Sequence, residues 1–348
     1  MKQLHTAFVG YGSGGRIYNA PILSSVPGFK VTKILTSSPG NIKAAQFDFP
    51  EAEVESELSN ILEDPEIDLI ILVLPNHLHY DFAKQVLEAG KHLLVEKPFT
   101  PHVKEANELI NLAHQKNLVL SINHNRRWDS DFRTVKKIVE NGILGRLVEY
   151  EAHFDRFRNE IKPGWKEKKE LSGSGILYDL GSHLIDQALH LFGLPKEIFA
   201  DIRTQRDHAT VPDNFELLMF YPGLKVTLKA GTLVKEKGAT YSLHGTKGSF
   251  VKYGADAQEE ALKKGQSPRE LSNWGEEPEE IWGKLNTVDK EEFYPSENGN
   301  YRVVYQNLYD AITAGVPLEV KPAQARDVIR VIEAAQQSQD ERRVITFG

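Results

Sequence analysis

The chain has 348 residues, a formal net charge of −7 and no cysteine. At roughly 150 residues per domain, this length predicts two domains or one large one. The lack of cysteine excludes disulfides, thiolate catalysis and Cys-ligated zinc or iron–sulfur clusters, and it is typical of a reducing compartment. The acidic charge argues against a basic nucleic-acid surface. No stretch approaches the roughly 20 apolar residues of a membrane span, so we expect a cytoplasmic protein without nucleic-acid or membrane partners.

Strand and helix patterns alternate through the first 124 residues. The clearest strand, 68–74, is a continuous apolar run rich in β-branched residues, which suits a sheet covered on both faces. The alternation itself predicts βαβ units and a parallel sheet. The predicted strands are 4–9, 29–35, 68–74, 91–95 and 118–123, and the predicted helices are 16–26, 77–89 and 101–116.

The pattern changes after residue 124. Successive strands with tight turns, such as Tyr221-Pro-Gly-Leu224, predict a largely antiparallel sheet. Residues 254–297 are polar and acidic, and we expect an insertion or long loop there. The predicted strands are 146–158, 198–203, 214–221, 224–232 and 240–243, and the predicted helices are 179–192, 301–314 and 322–338.

A glycine-rich turn follows the first predicted strand and matches G-x-G-x-x-G. In this pattern the first glycine permits a tight turn, the second lets backbone approach a pyrophosphate, and the third lets the helix pack closely. The helix N-terminus offers free N–H groups to phosphates. A purely structural turn is the alternative. The candidate cofactor contacts in this turn are Gly10, Gly12, Ser13, Gly14, Gly15 and Arg16.

The usual acidic residue that binds the adenosine ribose is missing. About 20 positions after the glycines, where that acid is expected, the sequence reads Thr36-Ser37-Ser38. Hydroxyls without a carboxylate tolerate a 2′-phosphate, and Lys43 adds a positive charge if the loop folds back. We therefore predict NADP in preference to NAD, with these three residues as contacts. A plain polar loop is the alternative.

Two further motifs follow neighbouring predicted strands. Pro75-Asn76-x-x-His79 and Glu96-Lys97-Pro98 both stand at the carboxyl edge of the sheet, where open α/β sheets bind ligands. A lysine there can polarise a substrate oxygen while the flanking glutamate holds it. A surface charge pair and a strand-end proline are the alternative. The candidate cofactor contacts in these motifs are Pro75, Asn76, His79, Glu96 and Lys97.

Asp179 and His183 are four residues apart on a predicted helix, so they share one face. Histidine titrates near neutrality and suits a general base that takes an alcohol proton. Asp179 can bind a hydroxyl or tune the imidazole. The same pair, with His190, can instead bind a divalent metal, although ligands on one helix are a weak metal signal. A solvated polar face is the third interpretation.

The four motifs together resemble the glucose–fructose oxidoreductase/inositol dehydrogenase/rhizopine catabolism family of nicotinamide-dependent sugar oxidoreductases. They stand in the family's order and spacing across nearly the whole chain. The segments around Ser249–Gly254, Gln258 and Asn273–Glu277 look like the subgroup that contains NADP-dependent scyllo-inositol 2-dehydrogenases. That likeness agrees with the missing acid near Thr36.

The resemblance implies an α/β plus α+β protein. It would have a Rossmann NAD(P)-binding domain over residues 1–124 and an open, mostly antiparallel sheet domain for substrate binding and oligomerisation over 125–348, with a C-terminal helix packing back on the first domain. It implies that Lys97 and His183 are the catalytic pair and that Asp179 orients the substrate or His183. It also implies a cis peptide before Pro98 and a homodimer or homotetramer.

Five further residues are candidates for contacts with cofactor or substrate. Arg126, Arg127 and Trp128 follow the last predicted strand of the first domain, in a region that reaches the pocket in the family, and a packed hinge is the alternative. His153 and Asp155 share a strand face, which looks either into the pocket or into a subunit contact. Of the five, we select Arg127, Trp128 and Asp155 as substrate contacts, alongside Asp179 and His183.

Two aromatic residues, Trp165 and Tyr301, are candidates for a wall against the sugar, although a core role is more common.

The predicted function is reversible oxidation of a secondary alcohol on a cyclitol or sugar, with a scyllo-inositol-like polyol favoured. No metal is required, because lysine and histidine handle charge and proton. One rival is a sugar-sensing regulatory protein that binds the nucleotide without turnover. Another is a metal-dependent sugar isomerase.

Overall fold

A computed structural model describes residues 2–347. Backbone contacts divide the chain into two compact units that are discontinuous in sequence. The first unit comprises the residues up to 125 together with 258–274 and 300–326, and the second comprises 126–257, 275–299 and the residues from 327 onward. The domain boundary at residues 124/125 stays a prediction.

The first unit contains a six-stranded parallel sheet in the order β3-β2-β1-β4-β5-β6. This is the Rossmann strand order, and it confirms the predicted parallel sheet. Every residue of the central strand β4 is fully buried, as a strand covered on both faces should be. The strands are β1 (Leu4–Val9), β2 (Phe29–Leu35), β3 (Glu53–Glu55), β4 (Leu69–Leu72), β5 (His92–Val95) and β6 (Leu120–Ile122).

Helices connect these strands, and each of the three predicted for this region is present. They are α1 (Ala20–Ser24), α2 (Pro39–Asp48), α3 (Ser59–Leu62), α4 (His79–Glu88) and α5 (Val103–Gln115), with α1 preceded by a π-helical turn at Gly14–Asn19. The sequence did not predict α2, α3 or β3. Helix α2 buries only two alanines, Ala44 and Ala45, so it has no apolar stripe from which a helix could be recognised.

The second unit contains a nine-stranded sheet in the order β14-β13-β12-β11-β7-β10-β9-β8-β15. Only the β7–β10 pair is parallel, which confirms the predicted, mostly antiparallel sheet. The strands are β7 (Leu147–His153), β8 (Glu197–Arg203), β9 (Asn214–Tyr221), β10 (Leu224–Gly231), β11 (Tyr241–Gly245), β12 (Gly248–Lys252), β13 (Gly283–Thr287), β14 (Glu291–Tyr294) and β15 (Ile345–Thr346).

Helices α6 (Ser130–Glu140) and α7 (Ser182–Phe192) belong to the second unit. Helix α7 packs on one face of the nine-stranded sheet through large buried side chains. Tyr241 of β11 donates a hydrogen bond to Gln187 at 3.0 Å, and the ring of Tyr150 on β7 meets that of Phe192 edge-on. This packing fixes the helix that carries His183.

Residues 254–297 are not one long loop, so the long-loop alternative of that expectation is wrong. They form α8 (Ala257–Lys263), a 3-10 turn at Glu279–Ile281 and the hairpin of β13 and β14. In β13 only Leu285 is a large apolar residue, so alternation is too weak to reveal the strand. The helices α9 (Arg302–Ala314) and α10 (Pro322–Glu341) follow as predicted.

No helix within residues 2–347 combines the length and the apolar character that crossing a membrane requires.

Candidate functional site

The glycine turn has the geometry of a close backbone approach. Gly10 has a φ of +97°, and a Cβ on it would lie 2.1 Å from the carbonyl oxygen of Val73. A Cβ on Gly15 would lie 2.6 Å from the carbonyl oxygen of Gly10, whereas one on Gly12 would meet nothing within 4 Å. Gly10 and Gly15 therefore shape the turn, and Gly12 leaves space beside it. Gly14 begins the π-helical turn, next to the exposed Ser13. This turn fits the phosphates of a dinucleotide.

Arg16, from the same turn, forms an ion pair with Asp48 at the end of α2. Its Nε lies 2.8 Å from Asp48 Oδ2, and the hydroxyl of Tyr11 donates to the same oxygen at 3.0 Å. Burial, followed by the nearby Asp48 carboxylate, raises the pKa of Tyr11 well above its ordinary value, so Tyr11 stays a hydrogen-bond donor. A cofactor contact by Arg16 stays a prediction, and any such contact must share the guanidinium with Asp48.

The end of β2 leads directly into the start of α2. Thr36 is buried, while Ser37 and Ser38 are exposed, and α2 begins at the next residue, Pro39. Lys43 lies on this helix and is exposed. The structure therefore offers hydroxyls and a helix N-terminus at the position where the ribose acid is usually found, and a helix N-terminus favours anions.

Lys97 follows β5, and its neighbour Glu96 lies in a network of amides. Glu96 Oε1 accepts hydrogen bonds from the side chains of Asn19 at 2.8 Å and Asn123 at 2.7 Å. Glu96 Oε2 accepts one from the backbone N–H of Lys97 at 3.0 Å. The Lys97–Pro98 peptide is cis, as the resemblance implied. Asn19 ends the π-helical turn and also donates to the Gly14 carbonyl at 2.9 Å, so it links the glycine turn to the lysine motif.

Sequence reasoning did not find Asn19 and Asn123. The spacings of 77 and 27 residues from Glu96 carry no local signal, since the three residues meet only when the strands align.

His79 is fully buried rather than open to a ligand. Its Nδ1 lies 2.9 Å from the Pro98 carbonyl and its Nε2 lies 2.9 Å from the Leu74 carbonyl. Burial lowers the pKa of this histidine, against the opposing effect of the carbonyl contacts. His79 therefore holds the segment after β4 against the segment after Lys97, and its assignment as a cofactor contact stays a prediction. Pro75 precedes the 3-10 turn that begins at Asn76, a buried residue.

In the second unit, Asp179 and His183 lie on either side of a change in helix type. Asp179 belongs to a π-helical turn at Leu177–Gly181, and His183 lies in the first turn of α7. Gly181 allows this helix to approach the sheet, since a Cβ there would lie 2.9 Å from Leu177 and 3.3 Å from Phe215. Single π-helical turns are frequent at functional sites.

Two cations bind the carboxylate of Asp179. Lys166 Nζ lies 2.7 Å from its Oδ1 and Arg156 Nη2 lies 3.4 Å from its Oδ2. His183 is 6% exposed, and the ring of Phe154 lies 6.3 Å from its imidazole in an edge-on arrangement. Sequence reasoning found Asp179 and His183 but not Arg156, Lys166 or Phe154.

Phe154, rather than Asp155, meets His183, and the assignment of Asp155 as a substrate contact stays a prediction. Successive side chains of an extended segment point to opposite faces, and Phe154 is the residue whose ring meets His183. Asp155 instead contacts His153 Nδ1 at 2.9 Å and accepts from the backbone N–H of Gly231 at 3.0 Å. Burial lowers the pKa of His153, but hydrogen bonds to Asp155 and Glu151 outweigh it and the net shift is upward.

Arg127 is buried in a two-contact ion pair, and its role as a substrate contact stays a prediction. Its Nε and Nη2 donate to Asp186 on α7 at 2.8 and 2.7 Å, and both residues are at most 5% exposed. The pair fastens α7 to the start of the second unit. Trp128 is half-buried, and Arg126 stacks over the ring of Phe154 at 5.1 Å.

A cavity of about 230 Å³ opens beside Asp179 within the second unit. Trp165 lines it, and so do several cationic side chains, and a role of Trp165 as a wall against a sugar stays a prediction. Tyr301 is buried in the first unit, where its backbone N–H donates to Gln258 at 2.8 Å, and this burial suits a core role rather than a sugar wall.

His190 is unsuited to be a metal ligand. Lys136 Nζ lies 3.0 Å from its Nε2, and burial, followed by the charges of Arg127 and Lys136, lowers the pKa of His190 to about 4. A cation beside a nitrogen repels a metal ion. This arrangement disfavours a metal-dependent isomerase that uses Asp179, His183 and His190.

Models of one oxidoreductase family match almost the entire chain. The model of its NAD-binding Rossmann fold matches residues 4–124. The model of its C-terminal alpha/beta domain matches residues 136–347. Both belong to the family named after glucose–fructose oxidoreductase, inositol dehydrogenase and the rhizopine catabolism protein MocA.

Individual relatives cover the same length. The chain is 41% identical to scyllo-inositol 2-dehydrogenase (NADP(+)) IolW of Bacillus subtilis, over 98% of this chain and 95% of that protein. It is 39% identical to YdgJ of Escherichia coli, an uncharacterized oxidoreductase, over 99% of both chains. Among solved structures, the Bacillus subtilis oxidoreductase YvaA is similar with a TM-score of 0.96 at 40% identity, covering 100% of this chain and 99% of the other.

Proposed function

Because the chain belongs to the glucose–fructose oxidoreductase/inositol dehydrogenase/MocA family of NAD(P)-binding oxidoreductases, we propose that it oxidises a secondary alcohol of a cyclitol or sugar, with scyllo-inositol as the favoured type of substrate. The observation that carries the proposal is the likeness to scyllo-inositol 2-dehydrogenase across 98% of this chain. The lysine motif, Asp179 and His183 supply the groups that the reaction requires.

We propose NADP as the preferred cofactor. The glycine turn around Gly12 holds the pyrophosphate, and Thr36, Ser37 and Ser38 receive the 2′-phosphate at the start of α2. Three features support this choice: the lack of a carboxylate at positions 36–38, the helix N-terminus there, and the cofactor named for the Bacillus subtilis relative. Lys43, about one turn into α2, adds positive charge.

In the proposed mechanism each of three side chains has one task. Lys97 donates a hydrogen bond to the substrate oxygen and stabilises the negative charge that develops on it. His183 accepts the hydroxyl proton as general base. Asp179 accepts a hydrogen bond from the substrate and so orients it. The bound nicotinamide supplies the hydride acceptor.

The decisive experiment is a matrix of inositols and aldoses against NAD and NADP, read at the absorbance band of the reduced nicotinamide. We expect reduction of NADP with scyllo-inositol or a closely related polyol, at a kcat/KM at least tenfold above that with NAD. Purified protein that binds NADP but reduces it with no polyol would favour the regulatory, sugar-sensing alternative. Equal rates with both cofactors would contradict the cofactor assignment alone.

A further inference from the structure

We propose that Arg156 and Lys166 are positioning residues of this reaction. They keep Asp179 ionised and fix the direction of its carboxylate, so that Asp179 accepts a hydrogen bond from a substrate hydroxyl and takes no part in the proton transfer that His183 performs. The inference rests on the proposed function, because it concerns how Asp179 acts in that reaction.

The geometry gives each carboxylate oxygen its own cation. Lys166 Nζ is 2.7 Å from Oδ1, and Arg156 Nη2 is 3.4 Å from Oδ2. A carboxylate between two cations favours its charged form, and charge-assisted hydrogen bonds also restrict its orientation. A carboxylate held in this way can accept a hydrogen bond from a hydroxyl but is a poor proton donor.

Lys166 is carried by a turn that is anchored independently of the Asp179 carboxylate. The next residue, Glu167, binds the buried guanidinium of Arg206 at 2.8 and 3.1 Å. Arg206 in turn binds the buried Asp213 at 2.8 Å, and the backbone N–H of Gly175 donates to the Lys166 carbonyl at 3.1 Å. The turn therefore does not depend on the Lys166 side chain, which is 52% exposed. An ion pair with so exposed a member adds little to stability.

Arg156 reaches Asp179 from the segment that also faces His183. It follows Phe154 by two positions, so the two side chains share a face, and Phe154 meets His183 while Arg156 meets Asp179. Two backbone hydrogen bonds fix the arginine, to Gly231 O at 2.9 Å and from Val234 N at 3.1 Å. The Nε of Arg156 is buried and has no acceptor among the described residues. The contact with Asp179 through Nη2 therefore leaves this N–H donor of the guanidinium unused.

The test compares Lys166→Gln and Arg156→Gln with the exchanges Lys166→Arg and Arg156→Lys. Lys166→Arg and Arg156→Lys keep the positive charge. Either a lysine or an arginine side chain can make a single contact to one oxygen of the Asp179 carboxylate. Lys168→Gln and Arg203→Gln, two exposed cations that lie outside the cavity lining, serve as matched controls. For each variant, the dependence of kcat and kcat/KM on pH is measured with polyol and with NADP, together with Tm.

For the glutamine variants we expect kcat/KM for the polyol to fall at least tenfold, mainly through KM. The decline on the acid side should begin at a higher pH, because a carboxylate that loses a cation takes up a proton more readily. The exchange variants should recover most of the loss, while KM for NADP and Tm stay near wild type. In an Asp179→Asn background, Lys166→Gln should not move the acid-side decline, since the charge it acts on is gone.

An acid-side decline at the same pH in wild type and both glutamine variants would overturn the inference. So would a loss of activity that follows Tm, because that is the mark of a structural role. A wild-type protein that oxidises no polyol would instead refute the proposed function, and the two failures are therefore distinguishable.

Discussion

Lys97 and His183 belong to different units of the chain, and the surroundings of each suit its proposed task. The backbone of Lys97 is held by the Glu96 carboxylate, which is itself fixed by Asn19 and Asn123. His183 is nearly buried beside Phe154. A nearly buried imidazole acts in a medium of lower effective dielectric than water, where charge interactions are stronger.

Replacing His183 with alanine should lower kcat by roughly 100- to 10,000-fold, the usual contribution of a general base. NADP affinity should change little, since the imidazole is assigned to the proton and not to the cofactor. Turnover is measured with the best polyol, and NADP affinity by fluorescence titration. Lys97→Ala should be equally damaging to kcat, because it removes the charge that stabilises the developing alkoxide.

The exposed residues His114 and Lys104 on α5 provide matched controls, and their alanine variants should keep wild-type turnover. A His183→Ala protein with unchanged kcat would show that another group takes the proton. If Lys97→Ala changed only the affinity for substrate, its assignment to the alkoxide would be wrong.

The sequence predicts the role of a residue when the residues that this role depends on lie close together in the chain. The glycine turn and Glu96-Lys97-Pro98 are contiguous motifs, and Gly10 has the positive φ that such a turn requires. The contact of Phe154 with His183 was not predicted, because neighbouring residues of a strand point to opposite faces and the sequence does not show which face looks toward the helix. The role of Arg127 depends on Asp186, 59 residues away, and no local pattern reveals such a pair.

Elements with a strong apolar period were predicted with nearly correct ends, and those held together by polar contacts were missed. Strands β1 and β2 have the predicted bounds. The hairpin of β13 and β14 was missed. Glu277, just ahead of it, lies in the polar and acidic segment that we expected to be an insertion or long loop, whereas it is buried and pairs with Lys252 at 2.9 Å. Such pairs cannot be told from surface charge in the sequence, since charged residues are mostly exposed.

The start of α6 carries a buried acid whose charge state should influence stability. Burial, followed by the nearby carboxylates of Asp256 and Glu277, raises the pKa of Asp131 to about 7, while Lys252 opposes the shift. The unfolded chain should show the ordinary value near 4. Folded protein therefore holds a proton that unfolded protein has lost between about pH 4 and pH 7, and stability falls as the pH rises through this window.

Asp131→Asn should remove this fall in folding stability with rising pH. The variant keeps a side-chain oxygen that can accept from the Phe132 N–H, which lies 2.7 Å from Asp131 Oδ1. We expect the Tm of the variant relative to wild type to rise from pH 5 to pH 8 by roughly 5–10 °C, since about 1.4 kcal/mol accompanies each pKa unit and each kcal/mol moves Tm by about 2–4 °C in a domain of this size. Thermal unfolding at pH 5, 6, 7 and 8 measures it. The exposed Asp289→Asn is the control, and a Tm difference that is independent of pH would contradict the argument.

The charge around one cavity has the opposite sign to the net charge of the whole molecule. The chain carries a net charge of −7, yet the cavity beside Asp179 is lined by more cations than carboxylates. Two of the three carboxylates, Glu167 and Asp213, share the single guanidinium of Arg206. The cations are Arg156, Arg158, Lys162, Lys166 and Arg206, and the carboxylates are Glu167, Asp179 and Asp213.

This excess of positive charge should make the protein reject polyols that carry an ammonium group. Two unit charges at 4 Å interact with about 1 kcal/mol in bulk water and about 4 kcal/mol near a protein surface, and each 1.4 kcal/mol is a factor of ten. We therefore expect kcat/KM for an aminocyclitol to be at least tenfold below that of its neutral parent at pH 7. Raising the ionic strength should reduce this difference in kcat/KM, because salt screens exposed charges.

Replacing Lys162 or Arg158 with glutamine should also reduce the difference in kcat/KM. The N-acetylated aminocyclitol, which carries no charge, controls for size. An N-acetylated compound rejected as strongly as the amine would assign the discrimination to shape, and the cationic lining would then have no part in substrate choice.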